Sequence, residues 1–226
     1  SDVYKRQDAL DKVMGVICGA SELPIPVKIN AVSIDFNQWK DGPGKRENSW
    51  LSIAELARQY PVDVRFIEIM PIGYGKQFKT IDHRTLLSEL QTTYPGLKKD
   101  SKKHGFGPAV YYKPAGFQGS IGLISAVHRM FCSSCNRVRL TAGGYLKTCL
   151  CYEDGIDLRA VLREGIKRPE EESRFGWPDG LDIHEECLQR RLQTAMEAAI
   201  LKKPRAHCFE TPGRITESHN MSSIGG

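Results

Sequence analysis

The stretch from residue 131 to residue 151, FCSSCNRVRLTAGGYLKTCLC, constrains the fold more than any other part of the chain. Cys132 and Cys135 have the C-x2-C spacing that puts two thiols on one tight turn, and Cys149 follows fourteen residues after Cys135. Thiols in this arrangement can bind one metal centre together. No second C-x2-C pair follows, as a zinc ribbon would require. Three thiolates on a cubane iron–sulfur cluster would leave one of its irons open to another ligand.

A structural zinc site is the alternative interpretation of the same spacing. Its fourth ligand would be Cys151, His128 or Cys208. The chain would then be a non-enzymatic metal-binding module, in which zinc or an iron–sulfur cluster serves only to fold the C-terminal hairpin. The spacing of the thiols leaves both interpretations open.

Two arginines favour a substrate site beside the thiols. In the run RVRL, Arg137 and Arg139 alternate with apolar residues, which is the periodicity of a strand and puts both side chains on one face. Two guanidiniums on one face can bind a polyanion such as a triphosphate. Paired surface arginines are usually only solvated, so the neighbouring thiols decide in favour of a binding site. A hairpin of residues 137–140 and 145–150, turning at the glycines of 142–144, would return Cys149 to the first two thiols.

The composition is that of an ordinary globular protein and excludes several classes. The 226 residues suffice for one sizeable core or for one domain with an appendage. Seven cysteines, an odd number, argue against a disulfide scaffold and fit a reducing compartment, so a cytoplasmic location is expected. No apolar run is long enough to span a bilayer, and no membrane partner is expected. The formal net charge of +5 favours an anionic ligand slightly, and without basic runs interleaved with aromatic residues no nucleic-acid partner is predicted.

The first 95 residues alternate between helical and strand patterns. Apolar residues spaced three or four apart predict a helix from Ala9 that ends at Gly19. The other elements predicted here are a buried strand at 25–34, a helix from Ser49 capped by Ser49 or Ser52, a strand at 62–69 and a helix at 82–91. This order predicts βαβ units with right-handed crossovers, and therefore an α/β fold with parallel strands.

Beyond Tyr94 the pattern changes to short strands separated by glycine and proline. Strands are predicted at 105–113 and 120–127 as an antiparallel extension. The hairpin, helices at 158–164 and 184–200, and an irregular tail after Pro204 follow. The sequence thus predicts two domains, residues 1–95 and residues 96–226.

Charged residues stand out in the first two predicted strands, Lys28 in the first and Arg65 and Glu68 in the second. Lys28 needs a partner or a ligand if it is buried, unless it lies at a strand end and reaches water. Arg65 and Glu68 are expected to form an ion pair with each other or across the barrel. Met70 follows the second strand, and barrel enzymes bind ligands at the carboxyl ends of their strands. A lone methionine is otherwise more often a packing residue.

Three stretches of the chain resemble the GTP 3′,8-cyclases, the radical S-adenosylmethionine enzymes that begin molybdenum-cofactor biosynthesis. They are the cysteine stretch FCSSCNRVRLTAGGYLKTCL, the stretch VDVRFIEIMPIG at 62–73 and the final MSSIGG, and they occur in that family's order. The resemblance implies an α/β fold: residues 1–95 would be part of an incomplete, partial TIM-type radical SAM barrel. Residues 96–226 would be a small α+β C-terminal region that binds a cluster and GTP and carries a Gly-Gly tail.

The resemblance also implies roles for individual residues. The open iron of the cluster would meet the guanine base of GTP, and the tail would reach a crowded active site that only residues without bulky side chains can enter. The implied residues are Cys132, Cys135 and Cys149 for a 4Fe–4S cluster, Lys28, Arg137, Val138 and Arg139 for GTP, Met70 for S-adenosylmethionine, and Gly225 and Gly226 for the active-site tail.

The chain departs from the family in one respect. It has no N-terminal C-x3-C-x2-C motif, which in these enzymes holds a second 4Fe–4S cluster that cleaves S-adenosylmethionine. Its parallel strands are also too few to close a barrel, so we expect the C-terminal part of a longer enzyme, inactive by itself. The longer enzyme would convert GTP to (8S)-3′,8-cyclo-7,8-dihydroguanosine 5′-triphosphate, and a homodimer is a possible assembly.

Overall fold

The computed structural model describes residues 7–35, 49–128, 131–164 and 183–224. The backbone divides into two compact units. The first, called here the sheet unit, comprises residues 1–70 and 77–131, and the second, the cysteine unit, comprises residues 71–76 and 132–226.

The sheet unit is built on five strands. In chain order they are β1 (Val27–Ser33), β2 (Val62–Glu68), β3 (Lys98–Lys99), β4 (Val110–Lys113) and β5 (Ile121–Ile124). Across the sheet the order is β1-β2-β5-β4-β3. β1 and β2 are parallel, with Val27 opposite Val62 and Ser33 opposite Glu68, which confirms the predicted βαβ unit. β4 pairs antiparallel with both β3 and β5, as the predicted extension requires.

One strand pairing was not predicted. β5 lies beside β2 and runs parallel to it, with Val64 opposite Ile121 and Ile67 opposite Ile124. The sheet therefore continues from the parallel part into the antiparallel part across residue 96. The mixed α/β character of the fold is confirmed. The predicted domain boundary between residues 95 and 96 stays a prediction.

Four helices accompany this sheet: α1 (Gln7–Ser21), α2 (Ser49–Ala54), α3 (Leu56–Gln59) and α4 (His83–Thr93). α1 continues past Gly19, where it was expected to end, because a glycine costs a helix only about 1 kcal/mol. The helix predicted from Ser49 is divided at Glu55. α4 starts as predicted, since the carboxylate of Asp82 accepts a hydrogen bond from the backbone N–H of Arg84 at 2.8 Å.

The core of the sheet unit follows from the alternation of β2. Val62, Val64 and Phe66 are buried, together with Glu68 at the end of the strand. Residues on one face of a strand recur with a period of two, so this face covers the core. Other members of the core are Ile17, Ala54, Ala57, Leu86, Leu90, Phe117, Ile121 and Leu123.

The cysteine unit contains a three-stranded antiparallel sheet, β6 (Arg139–Leu140), β7 (Tyr145–Lys147) and β8 (Gly155–Asp157), with helices α5 (Leu158–Glu164) and α6 (Ile183–Leu201). The predicted hairpin is confirmed, but its strands are shorter than expected, and β8 was not predicted. The two predicted helices are confirmed to within a residue. After α6 the chain is irregular as far as Ile224 except for short 3-10 turns at Pro212–Arg214 and Met221–Ser223. None of the helices in the described ranges is both long and apolar enough to cross a membrane.

Candidate functional site

The first two thiols lie on one tight turn. Cys132 begins a single 3-10 turn that extends to Ser134, and the backbone N–H of Cys135 donates to the carbonyl of Cys132 at 3.2 Å. Both thiols are free and half-buried. The C-x2-C spacing thus produces the turn that metal-binding pairs use.

The hairpin determines where the third thiol lies. Leu140 pairs with Leu146, and the N–H of Thr141 donates to the carbonyl of Tyr145 at 2.9 Å. Gly144 closes the turn with φ at +83°, a conformation that glycine adopts without strain. Cys149 follows two residues after β7 ends.

The pKa of Cys149 depends on the two other thiols. Burial raises this pKa most, and negative charge at Cys132 and Cys135 raises it further, whereas the N–H donated by Cys151 and the charge of Lys203 lower it. Thiolates that repel each other in a half-buried place are stabilised by a metal cation, since metal ligands must be deprotonated. The donor set therefore fits a metal centre.

The distances between the possible ligands bear on the size of that centre. Among the described residues, two groups of three or more possible ligands have all ligand atoms within 4.8 Å of one another, and neither group contains a cysteine. Four sulfurs around one tetrahedral zinc, at Zn–S distances near 2.3 Å, lie about 3.8 Å apart. The three thiols are thus more widely spaced than a single zinc ion requires.

The two arginines lie close to each other and to the thiols. Arg139 is half-buried, and burial lowers its pKa most; the charge of Arg137 lowers it further, while Cys135 and Cys149 oppose this. Arg137 and Val138 are exposed. Arg137 lies before β6, which begins at Arg139. Its carbonyl accepts a hydrogen bond from the ammonium of Lys203 at 2.7 Å. A group of cations beside three thiols can bind an anionic ligand.

Two of the suggested fourth ligands face each other. The sulfurs of Cys151 and Cys208 are 3.1 Å apart, and the N–H of Cys208 donates to the Cys151 sulfur at 3.2 Å. Burial raises the pKa of Cys151 to about 12. The third suggestion, His128, belongs to the sheet unit, where its Nδ1 is 3.1 Å from Glu68 Oε1. The thiols of Cys151 and Cys208 thus contact each other, and the backbone N–H of Cys151 donates a hydrogen bond to the Cys149 sulfur at 3.5 Å.

The tail is attached to the same hairpin. Glu217 and Lys147 form a buried ion pair, and the N–H of Glu153 donates to the Thr216 hydroxyl at 3.0 Å. Further on, Asn220 lies against Gly73, where an added Cβ would meet Asn220 Oδ1 at 2.5 Å. Gly225 and Gly226, predicted to reach the active site, lie outside the described residues.

In the sheet unit, Lys28 lies on β1 and its ammonium donates to the carbonyl of His104. The half-buried lysine is therefore partnered, and it borders a pocket of about 270 Å³ with Arg65, Lys102 and Lys103. His104 is fixed by hydrogen bonds of 2.7 Å to Asp63 and 2.9 Å to Asp100. The cations give this pocket a positive character that suits an anion.

The predicted ion pair between Arg65 and Glu68 themselves is wrong, whereas Glu68 does contact an ionisable group of another segment, the His128 ring. Arg65 donates to the side chain of Asn30 at 2.8 Å. Glu68 instead accepts hydrogen bonds from the backbone N–H groups of Val127, at 2.7 Å, and His128, at 3.0 Å. Positions three apart on a strand point to opposite faces, so these two side chains have different neighbours.

The carboxyl ends of the parallel strands carry polar residues that the sequence did not single out. His83 bridges Ser33, at the end of β1, and Ser125, just after β5, with hydrogen bonds of 3.1 and 3.2 Å. The backbone N–H of His83 donates to the carboxylate of Glu68 at 3.2 Å. Met70 lies half-buried two residues beyond that glutamate. Ligands of parallel sheets bind at this edge. Polar residues at the ends of two predicted strands, Ser33 and Glu68, were the available signal.

The chain is similar to proteins of a known family. The family model described as Molybdenum Cofactor Synthesis C matches residues 62–209. The chain belongs to this family. The matched range contains Met70, the three thiols and both arginines, whereas Lys28 and the glycine pair lie outside it.

Two bacterial relatives are similar over nearly the whole chain, and a mouse relative over about three-quarters of it. A GTP 3′,8-cyclase of Clostridium perfringens is 34% identical over 222 residues, which is 98% of this chain and 59% of that protein. A GTP 3′,8-cyclase of Syntrophomonas wolfei is 36% identical over 225 residues, 98% of this chain and 60% of that protein. Molybdenum cofactor biosynthesis protein 1 of Mus musculus is 36% identical over 168 residues, 73% of this chain and 25% of that protein. The chain thus spans about three-fifths of the length of these bacterial relatives.

Proposed function

We propose that this chain is the substrate-binding part of a GTP 3′,8-cyclase, the activity for which its bacterial relatives are named. The whole enzyme converts GTP to (8S)-3′,8-cyclo-7,8-dihydroguanosine 5′-triphosphate in the first step of molybdenum-cofactor biosynthesis. It is a lyase that uses S-adenosylmethionine and a second 4Fe–4S cluster, for which this chain has no C-x3-C-x2-C motif. The observation that carries the proposal is the cysteine turn: Lys203 joins the Cys135 sulfur to the carbonyl of Arg137, and the half-buried Arg139 and Cys149 lie within electrostatic range of this turn.

Cys132, Cys135 and Cys149 would hold a 4Fe–4S cluster. Their mutual repulsion and their spacing, wider than one zinc ion needs, support this choice over a single ion. When bound, the cluster supplies an iron with an open coordination position for the guanine base. The protein binds and orients the nucleotide around that position.

Arg137 and Arg139 would bind the triphosphate of GTP, with the backbone at Val138 between them. Arg137 is exposed, which suits a residue that contacts the incoming ligand first. Arg139 is half-buried, so its guanidinium is already held in place before the ligand binds. A guanidinium holds a phosphate through two parallel hydrogen bonds. Lys28 would be a further GTP contact, supported by the positive pocket that it borders.

The sheet unit would be part of a partial radical SAM barrel, in which Met70 contacts S-adenosylmethionine. Its support is the parallel order of β1, β2 and β5, with Met70 just past the carboxyl end of β2. Ligands of such barrels lie at this end of the strands. The Gly-Gly tail would enter the active site of the whole enzyme.

Reconstitution tests the proposal directly. The chain is loaded anaerobically with iron and sulfide, and GTP binding is followed by equilibrium dialysis and by the visible charge-transfer absorption of the cluster. We expect cluster uptake, a spectral response to GTP, and GTP binding weakened about tenfold or more by Arg137→Ala or Arg139→Ala. Arg58→Ala, which removes an exposed arginine of α3, is the matched control and leaves GTP binding unchanged.

The contrary result is equally specific. Stoichiometric zinc uptake with no response to GTP would establish the non-enzymatic metal-binding module in place of the cyclase part. Cys149→Ser separates the two outcomes further, because a cluster with three ligands loses its site, whereas a four-ligand zinc site keeps Cys132, Cys135 and its fourth ligand.

A further inference from the structure

The end of α6 brings a lysine to the cysteine turn. Ala199, near the end of this helix, belongs to a small core with Leu146 of β7 and Leu158 of α5. The N–H of Lys203 donates to the carbonyl of Ile200 at 3.0 Å, and Pro204 then stops the helix. The backbone that carries Lys203 is therefore fixed by packing against the hairpin.

The ammonium of Lys203 donates hydrogen bonds to the cysteine turn and to the residue that carries the first arginine. It donates to the sulfur of Cys135 at 3.3 Å, to the carbonyl of Cys135 at 3.0 Å and to the carbonyl of Arg137 at 2.7 Å. A lysine ammonium has three N–H donors, and these three acceptors use them all. A surface lysine in contact with water alone would show no such set of partners.

Resting on the metal centre proposed above, we infer that Lys203 is a positioning residue for that centre, holding the sulfur of Cys135 and the backbone that presents Arg137. Hydrogen bonds to ligand sulfurs and the charge beside a cluster set its reduction potential. Partners of metal ligands also hold those ligands in place, and their loss weakens metal binding about 10- to 100-fold. One side chain thus links the metal ligand to the predicted triphosphate contact.

The preceding residue provides a matched control. Lys202 has the same side chain and its N–H donates to the carbonyl of Ala198 at 3.3 Å, but its side chain is exposed. Lys202→Met and Lys203→Met remove the same charge one residue apart. Only the second removes the hydrogen bonds to Cys135 and Arg137.

The experiment compares four loaded variants of the chain: Lys203→Met, Lys203→Gln, Lys203→Arg and Lys202→Met. We measure the reduction potential of the cluster by spectroelectrochemical titration and the rate of metal loss to a chelator. Lys203→Met is expected to shift the potential to a more negative value and to lose metal about 10- to 100-fold faster. Lys203→Arg restores most of both properties, and Lys202→Met behaves as the parent chain.

Equal potentials and equal rates of metal loss for Lys203→Met and Lys202→Met would overturn the inference. If Lys203→Met does not fold, Lys203→Gln makes the same comparison, since its amide keeps two donors without the charge. If the chain takes up zinc and no cluster, the proposed cyclase part fails, and the rate of zinc loss still decides the role of Lys203.

Discussion

The sheet unit and the cysteine unit bury charge in different ways. In the sheet unit, Glu68 accepts hydrogen bonds from backbone N–H groups and lies 3.1 Å from the His128 ring, beside a large apolar core that includes Phe66 and Leu86. In the cysteine unit, Lys147 and Glu217 are buried against each other beside a core of Leu146, Leu158 and Ala199. The difference indicates that the sheet unit is stabilised by apolar burial, whereas the cysteine unit depends more on polar links and, under the proposed function, would depend on its metal as well.

Removal of the metal should have the largest effect and should separate the two units. Hydrogen exchange measured by mass spectrometry is expected to show lost protection in peptides from residues 132–224 when iron is withheld or Cys149 is replaced by Ser. Small domains that fold around a metal owe it roughly 10 kcal/mol. Peptides from β1 and β2 should keep their protection, and Cys18→Ser, at an exposed cysteine, should change neither unit. Equal loss in both units would break the comparison.

The buried ion pair gives the next largest effect. Lys147→Met leaves the carboxylate of Glu217 buried without its cation, which we expect to cost about 3–5 kcal/mol. The double variant Lys147→Met with Glu217→Gln should recover much of this loss, because no charge is then left buried. Urea unfolding of the metal-loaded chain measures both values. A double variant as unstable as the single one would show that packing, and not charge, is responsible.

A smaller effect is expected from pH in the sheet unit. Burial lowers the pKa of His83 below its ordinary value near 6.5, so the unfolded chain binds the proton more readily. Stability should fall as pH decreases below about 6.5, by up to about 1.4 kcal/mol for each pH unit until the folded-state pKa is reached. Urea unfolding between pH 7 and pH 5.5 tests this. His83→Gln should flatten the dependence, while an unchanged slope would assign it to other groups.

The smallest effect concerns the start of α4. Asp82→Ala removes the hydrogen bond to the N–H of Arg84 and should cost about 1 kcal/mol. Asp82→Asn keeps a capping oxygen and should cost less at pH 7. The side-chain hydrogen bond from Arg84 lowers the pKa of Asp82 to about 2, so the charge contributes stability above pH 4 and loses it as pH falls toward 2. Thermal unfolding of the three proteins checks the order.

Local patterns predicted a large part of the structure. The turn of the C-x2-C pair, the glycine turn at Gly144 and the hairpin that leads to Cys149 depend on residues close in sequence, and the structure has all three. The parallel pair of β1 and β2 followed from their apolar composition and from the helices between them. The parallel pair and the antiparallel extension were therefore each within reach of the sequence.

Long-range pairing was beyond these patterns. Nothing in the residues near Ile121 indicates that β5 pairs with β2, because such pairing depends on which edge of the sheet is still open. The same holds for Lys203, which is 68 residues from Cys135 in sequence and looks like any surface lysine beside Lys202. The pairing of Cys151 with Cys208, 57 residues apart, is a third case. Such contacts depend on the complete fold.

The ion pair of Glu217 with Lys147 has a consequence for the last residues of the chain. From Glu217 the described chain continues through the 3-10 turn at Met221–Ser223 to Ile224, which is buried. The ion pair therefore secures the start of a folded segment. Loss of this pair should make residues 218–224 accessible to proteases while the chain before them stays resistant.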